Sequence, residues 1–173
     1  MIQAVPRVRF AALASRGDDE QEERSQTMLD RSYIGHTFDA HTVEVEKGKI
    51  RFFAKAIGET NPIYFDEAAA QAAGYKSIPV PPTYPFSIDL EAPEFLPMLK
   101  LLNMDIGRIL HGSQEFEYIK PICAGDKVTC QAKILDMFDK KGGALEFIVL
   151  EVTFTNQDGD VAVKTQQSIV YRN

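Results

Sequence analysis

The second half of the chain carries four long segments in which apolar and polar residues alternate or β-branched residues dominate: Arg108 to Ile119, Lys127 to Phe138, Ala144 to Thr155 and Val161 to Tyr171. Turn signals separate them at Pro121-Ile122-Cys123-Ala124-Gly125-Asp126, Lys141-Gly142-Gly143 and Asp158-Gly159. A period of two, broken by glycine-bearing turns, marks strands that bury one face and reverse direction sharply. The expectation is an antiparallel meander of four hairpin-connected strands. A sheet with one apolar face must bury it against something else, so the first half of the chain has to supply the cover.

That half reads as one strand followed by helices. Phe38 to Val45 alternates around one irregularity, with Phe38, Ala40, Val43 and Val45 expected to point inward. Ile50, Phe53, Ala54 and Ile57 recur at helical spacing with Lys49, Arg51 and Lys55 on the other face, and Gly58 is the stop. Asp66 is placed to cap a helix over Glu67 to Ala73, where five alanines favour helix, and Gly74 ends it. Ile78 to Pro85 is a rigid extended approach to a further helix running to about Leu90, with Thr83 as cap and Pro85 in the first turn. Glu94 to Met104 predicts another, with Phe95, Met98, Leu99 and Leu102 on one side. A strand, then helices, then long antiparallel strands is an α+β arrangement. The helix starting near Thr83 is the one expected inside a curved sheet, because Phe86, Ile88 and Leu90 leave it little polar surface.

Composition narrows the possible roles. The 173 residues suit one domain with a single sizeable core. Residues 1–27 are read as a solvated acidic tail and 28–173 as the domain, with Met28 an equally good start. A net charge of -6 with no basic stripe argues against nucleic-acid binding. Cys123 and Cys130 have neither disulfide-scaffold nor zinc spacing and are expected as buried thiols, and no metal is expected. No apolar run approaches the roughly 18 residues that cross a bilayer, so no membrane is expected and the cytoplasm is the default location.

The candidate site is the polar loop Gly58-Glu59-Thr60-Asn61-Pro62-Ile63-Tyr64-Phe65-Asp66. Proline crowds the residue before it, so Asn61 is held out of the α region and Glu59 and Tyr64 project from a fixed bend. Each also has a plainer reading. Glu59 suits a solvated helix-end charge, Tyr64 a packed aromatic ring and Asn61 a turn. His111, beside Gly112, has the proton affinity of an acid/base group but no orienting partner in sequence. His36 and His41, which lead into the first strand, are expected to carry no chemistry. Gly112 could mark a close approach to ligand or a bulge of a curved sheet.

The order of these elements, with Gly58 to Tyr64, Ala73-Gly74-Tyr75, Val80-Pro81-Pro82-Thr83, Gly112-Ser113-Gln114-Glu115-Phe116 and Pro121 through Gly125-Asp126, resembles the hot-dog-fold MaoC-like hydratases and dehydratases. It is most similar to the branch known as the N-terminal MaoC, or FAS1-like, dehydratase domain, over about Tyr33 to Arg172. The resemblance implies a curved antiparallel sheet around a central helix, a two-subunit assembly, and an acyl-thioester substrate carried on coenzyme A or acyl carrier protein with no other cofactor.

Active relatives read Gly-Asp-x-Asn-Pro-Leu/Ile-His in the loop, where carboxylate and imidazole hold the water added to or lost from the double bond. Here the matching positions are Glu59 and Tyr64. A phenol, with a reference pKa of about 10, is a poor base near neutrality, though it donates hydrogen bonds. Pro81-Pro82 replaces the His-Gly pair whose glycine N–H feeds the oxyanion site, and proline has no N–H to give. The implied role is a non-catalytic, substrate-binding half that pairs with a catalytic hot-dog half. Asn61, Phe65, Thr83, Tyr84, Phe86, His111 and Gly112 are the expected substrate contacts, with Phe95 added to the apolar acyl wall. Two other roles stay open: a self-sufficient hydratase or thioesterase that relies on Glu59, and a non-enzymatic acyl-binding dimer.

Overall fold

The computed structural model describes residues 29–173, so the expected tail over residues 1–27, and Met28, lie outside the described residues. The four expected long strands are present as β2 (Ile109–Tyr118), β3 (Lys127–Lys140), β4 (Leu145–Thr155) and β5 (Val161–Arg172), and a short β1 (His41–Glu44) precedes them. Their order across the sheet is β1-β3-β4-β5-β2, with all neighbours antiparallel. The meander therefore covers only β3, β4 and β5. β2 does not form a hairpin with β3; it pairs with β5 and is an edge strand.

The reason is the proline-led segment after β2, which makes other bonds than those of a hairpin turn. Residues 78–80 and 122–124 pair through Val80 N–H to Ile122 O at 2.9 Å and Ala124 N–H to Ile78 O at 2.8 Å. The chain after β1 holds the other side, through Val45 N–H to Asp126 O and Gly125 N–H to Val45 O, both 2.8 Å. Asp126 is 3 % exposed; its Oδ2 accepts from Cys123 N–H at 2.9 Å while its other oxygen pairs with Lys76. Backbone groups buried in a crossover must find partners, and this segment finds them in two neighbouring stretches of chain.

Four helices follow β1: α1 (Lys47–Ala56), α2 (Glu67–Ala72), α3 (Tyr84–Asp89) and α4 (Pro97–Leu101). Ile50 of α1, Ala70 of α2 and Tyr84 and Ile88 of α3 pack on one core cluster with Val128, Val152, Phe154 and Val163 of the sheet. A second cluster joins Met98 of α4, with Leu102 and Met104, to Ile134, Ile148 and Ile169. In β4 the burial alternates without a break, Glu146, Ile148, Leu150, Val152 and Phe154 facing inward. No helix of the described residues is long and apolar enough to cross a membrane.

Several sequence expectations need correction. Ala40 is exposed, because the strand proper begins at His41, although Phe38 is buried and its N–H bonds Ala132 O at 2.9 Å. Ile57 and Leu90 are 51 % and 41 % exposed, each just past the end of its helix. Thr83 occupies the cap position of α3 but makes no side-chain capping bond. The helix expected over Glu94 to Met104 is only five residues long, starting at Pro97. Proline disfavours a helical conformation at the residue before it, and Leu96 adopts a left-handed one with φ 47°, leaving Phe95 outside the helix and 61 % exposed.

Candidate functional site

The loop after α1 is stiffened by its own side chains. Gly58 takes a left-handed φ of 76°, which a side chain would resist, and Glu59 N–H closes on Ala54 O at 2.9 Å. Glu59 then turns back on the loop: its Oε1 accepts from Thr60 N–H at 2.8 Å and Asn61 N–H at 3.0 Å. Asn61 is extended, as the following proline requires, and its Oδ1 accepts from Ile63 N–H at 3.2 Å to start a single tight turn over Pro62–Tyr64. Phe65 O accepts from Arg51 Nε at 2.9 Å, and Asp66 Oδ1 caps α2 at Ala69 N–H, 2.7 Å, as its position in the sequence suggests.

Bonds and burial move the proton affinities of the loop away from neutrality. The two backbone donors, Asn61 first and Thr60 second, hold the Glu59 carboxyl below the usual carboxylate range against a small opposing effect of burial. Glu59 is therefore an ionised acceptor and a weak base. Tyr64 is half-buried, and burial, then the Glu59 charge, then Tyr75, push its hydroxyl up, so it remains a donor. Tyr118 at the end of β2 is likewise raised, chiefly by burial and secondarily by Tyr64, and its hydroxyl donates to Pro82 O at 2.9 Å. The loop, the proline pair ahead of α3 and the end of β2 thus form one patch: a carboxylate, phenols and a proline carbonyl already in use.

A depressed carboxylate pKa stabilises the folded loop above the unfolded value of about 4.3, and that contribution is lost as pH falls through the folded pKa. The Glu59 carboxyl resonance should therefore titrate below the glutamate reference, and Glu59→Gln should speed hydrogen exchange at Thr60 and Asn61. Unchanged exchange would show that the carboxylate does not hold the loop.

The other expected contacts are dispersed. Tyr84 is a core residue, 3 % exposed, with its ring edge-on to Phe53 at 5.1 Å. Phe86 lies against His111, ring centroids 5.5 Å apart, and His111 Nε2 meets Gln114 Oε1 at 3.2 Å. Gly112 marks a break in register between β2 and β5; a Cβ there would meet Ser168 O at 3.0 Å and a Val170 methyl at 3.1 Å, so its smallness serves sheet packing. Thr83 is exposed ahead of α3, Phe65 is half-buried, and Phe95 lines a cavity past the far end of α3. His41, to which the sequence assigned no chemistry, lines that same cavity together with Asp89. Its place two residues before Val43, on the buried face of β1, was the available signal. Among the described residues no group of three or more His, Cys, Asp or Glu could hold a metal ion.

A five-stranded antiparallel sheet packed on short helices in this order is the hot-dog architecture. The model of the family described as "FAS1-like, dehydratase domain region" matches residues 32–165. A relative named "UPF0336 protein" from Thermobifida fusca (strain YX) is 35 % identical over 145 residues, 83 % of this chain and 94 % of its own. Among solved structures, the chain is similar to a C-terminally truncated HadBC (3R-hydroxyacyl-ACP dehydratase) complex from Mycobacterium tuberculosis, with a TM-score of 0.70 at 24 % identity over 80 % of this chain and 96 % of that one. It is similar also to the ChsH1-ChsH2 complex from the same organism, with a TM-score of 0.66 at 24 % identity over 80 % and 89 %. A "MaoC-like dehydratase" gives a TM-score of 0.74 at 22 % identity, covering 82 % of this chain but 43 % of that one. The chain belongs to the family described as FAS1-like, dehydratase domain region, and shares the hot-dog fold of these structures.

Proposed function

We propose that this chain is the substrate-binding half of an acyl-thioester hydratase/dehydratase, completed by a second hot-dog subunit that supplies an Asp/His pair. The observation that carries this reading is the state of Glu59 and Tyr64. Hydration of an enoyl thioester, or loss of water from a (3R)-hydroxyacyl one, needs a group that takes up and returns a proton near neutrality. The amides of Asn61 and Thr60 hold the Glu59 carboxyl below the usual carboxylate range and burial holds the Tyr64 hydroxyl above the usual phenol range, so each is moved away from neutrality and neither replaces an imidazole. The thioester carbonyl also lacks a donor at Pro82, and the carbonyl of Pro82 is engaged by Tyr118.

Pairing is supported by the edge of the sheet. β2 is ten residues long and has one paired side; Leu110 and Tyr118 in it and Ile119 just past its end are 49 %, 41 % and 51 % exposed. Such an edge is normally covered, here by a second copy or a related hot-dog subunit. The HadBC and ChsH1-ChsH2 neighbours are, by their names, complexes of two components. The carrier in this reading is coenzyme A or acyl carrier protein, with no further cofactor.

The test is turnover of enoyl thioesters from crotonyl upward. The purified chain is expected to be inert alone and to support hydration once mixed with a hot-dog partner bearing Asp and His. Glu59 Oε2 makes no hydrogen bond among the described residues and could direct a water, which favours the self-sufficient hydratase or thioesterase as the second reading. Turnover by the chain alone that vanishes in Glu59→Gln establishes that second reading. Thermal stabilisation by acyl thioesters with no turnover under any pairing would instead indicate an acyl-binding dimer.

A further inference from the structure

α1 carries Lys47, Lys49, Arg51 and Lys55 and no acidic residue, in a chain whose net charge is -6. Its inward face is Ile50 and Ala54, both fully buried. At 3.6 residues per turn Phe52 falls on the opposite side of the helix, and it is 75 % exposed, the most exposed large apolar side chain among the described residues. Lys49 lies three positions before it and Lys55 three after, so a cation flanks the ring in each direction along the helix. Beside Phe52 a groove of about 450 Å³ opens between α1 and α3, with Phe53, Tyr84 and Ser87 in its lining.

The cations differ in what they already hold. Lys47 pairs with Glu67, and Lys49 with Glu46 at 2.9 Å and Glu91 at 2.7 Å. Arg51 and Lys55 form no ion pair among the described residues. Arg51 Nε donates to Phe65 O at 2.9 Å, which pins the guanidinium to the Glu59 loop and leaves its terminal nitrogens without a partner among the described residues. Lys55 is four positions on from Arg51, on the same strip of helix, and four before Glu59.

The same charges disfavour two occupants. A second copy meeting this face about a two-fold axis would set the cations of one α1 against those of the other. A lone phosphate gathers cations around a point, whereas these are spread over about 12 Å of helix with a phenyl ring in their midst. An amphipathic helix with carboxylates on either side of an apolar side chain matches the spread, the sign and the ring together.

We propose that the exposed face of α1 is the docking surface for a small acidic protein, which lays such a helix along α1 with an apolar side chain in the groove beside Phe52 and carboxylates against Arg51 and Lys55. An apolar anchor inside a charged rim is the usual arrangement of a protein interface. The identity of the partner rests on the acyl-thioester reading: α1 runs directly into the Glu59 loop, so a protein docked there presents its acyl arm to that loop, and the carrier is acyl carrier protein rather than free coenzyme A.

Calorimetric titration of the full chain with an apo acyl carrier protein, which lacks the pantetheine arm, separates docking from chemistry. Saturable binding is expected, about tenfold weaker in Phe52→Ala and, at low salt, about tenfold weaker in Lys55→Glu. Raising the salt to about 0.5 M should shrink the second difference to about twofold and leave the first. Both positions are exposed and both replacements favour helix, so the variants fold. Absence of binding, or equal binding by both variants, overturns the proposal. Coenzyme A that displaces the carrier and is itself weakened by Phe52→Ala would replace the docking surface with a nucleotide site, and self-association lost in Phe52→Ala on sedimentation would assign the face to a second copy; either result overturns it. Docking with no turnover of enoyl thioesters under any pairing removes the acyl-thioester reading and leaves the surface standing. Hydration of enoyl-coenzyme A by the paired chain with no docking does the reverse.

Discussion

Phe154→Ala is expected to lose about 3 to 5 kcal/mol of stability, the range for emptying a buried aromatic site. Phe154 is 0 % exposed at the inward face of β4, the central strand, opposite Cys130 of β3 and Val163 of β5, which are also 0 % exposed. Above it, Ile50 of α1 and Ile88 of α3 belong to the same cluster and are fully buried. A strand tied on both sides cannot move inward to fill the gap, so the cavity term adds to the lost transfer energy. At about 2 to 4 °C per kcal/mol for a domain of this size, the melting temperature should fall by on the order of 10 °C. Calorimetry checks this, and a fall of under about 3 °C would mean that the core around β4 collapses freely.

Asp126→Ala should cost about 2 to 3 kcal/mol, chiefly through the Cys123 N–H, which is left buried and without its charged acceptor. The Lys76 ammonium end of the ion pair is half-exposed and returns to water, so it adds little. Asp126→Asn keeps an acceptor for Cys123 and should cost roughly half as much. Urea unfolding tests the pair. A lowered midpoint with an unchanged slope identifies lost native-state bonding, whereas equal losses in the two variants would place the effect in the charge. The crossover between β2 and β3 is the part of the fold that this residue holds.

How far the site was legible can be judged residue by residue. Asn61-Pro62 and Asp66 announced their local geometry, because a proline's steric demand and an Asp cap act within three residues. The long strands were equally plain, because side-chain alternation is a property of each strand alone, and β4 shows it without a fault. Glu59 was visible as a carboxylate of the loop, but its turn onto the amides of Thr60 and Asn61 was not, since Gly58 and the end of α1 set that direction. His41 and Asp89 are 48 positions apart in the sequence. Nothing local connects them, and they meet only because β1 lies along β3 while α3 crosses the same face.

What the amino-acid order determined unaided was therefore what short-range sterics and periodicity govern: the α+β class, the four long strands, the caps at Asn61 and Asp66 and the bent loop. Tertiary structure alone decided which strands became neighbours, sending β2 to the edge beside β5 instead of into a hairpin with β3. It also decided the acidity of Glu59 and the gathering of His41 and Asp89 around one cavity. Those outcomes depend on burial and on contacts between segments far apart in the chain, and such contacts form only when the whole sheet closes over its helices.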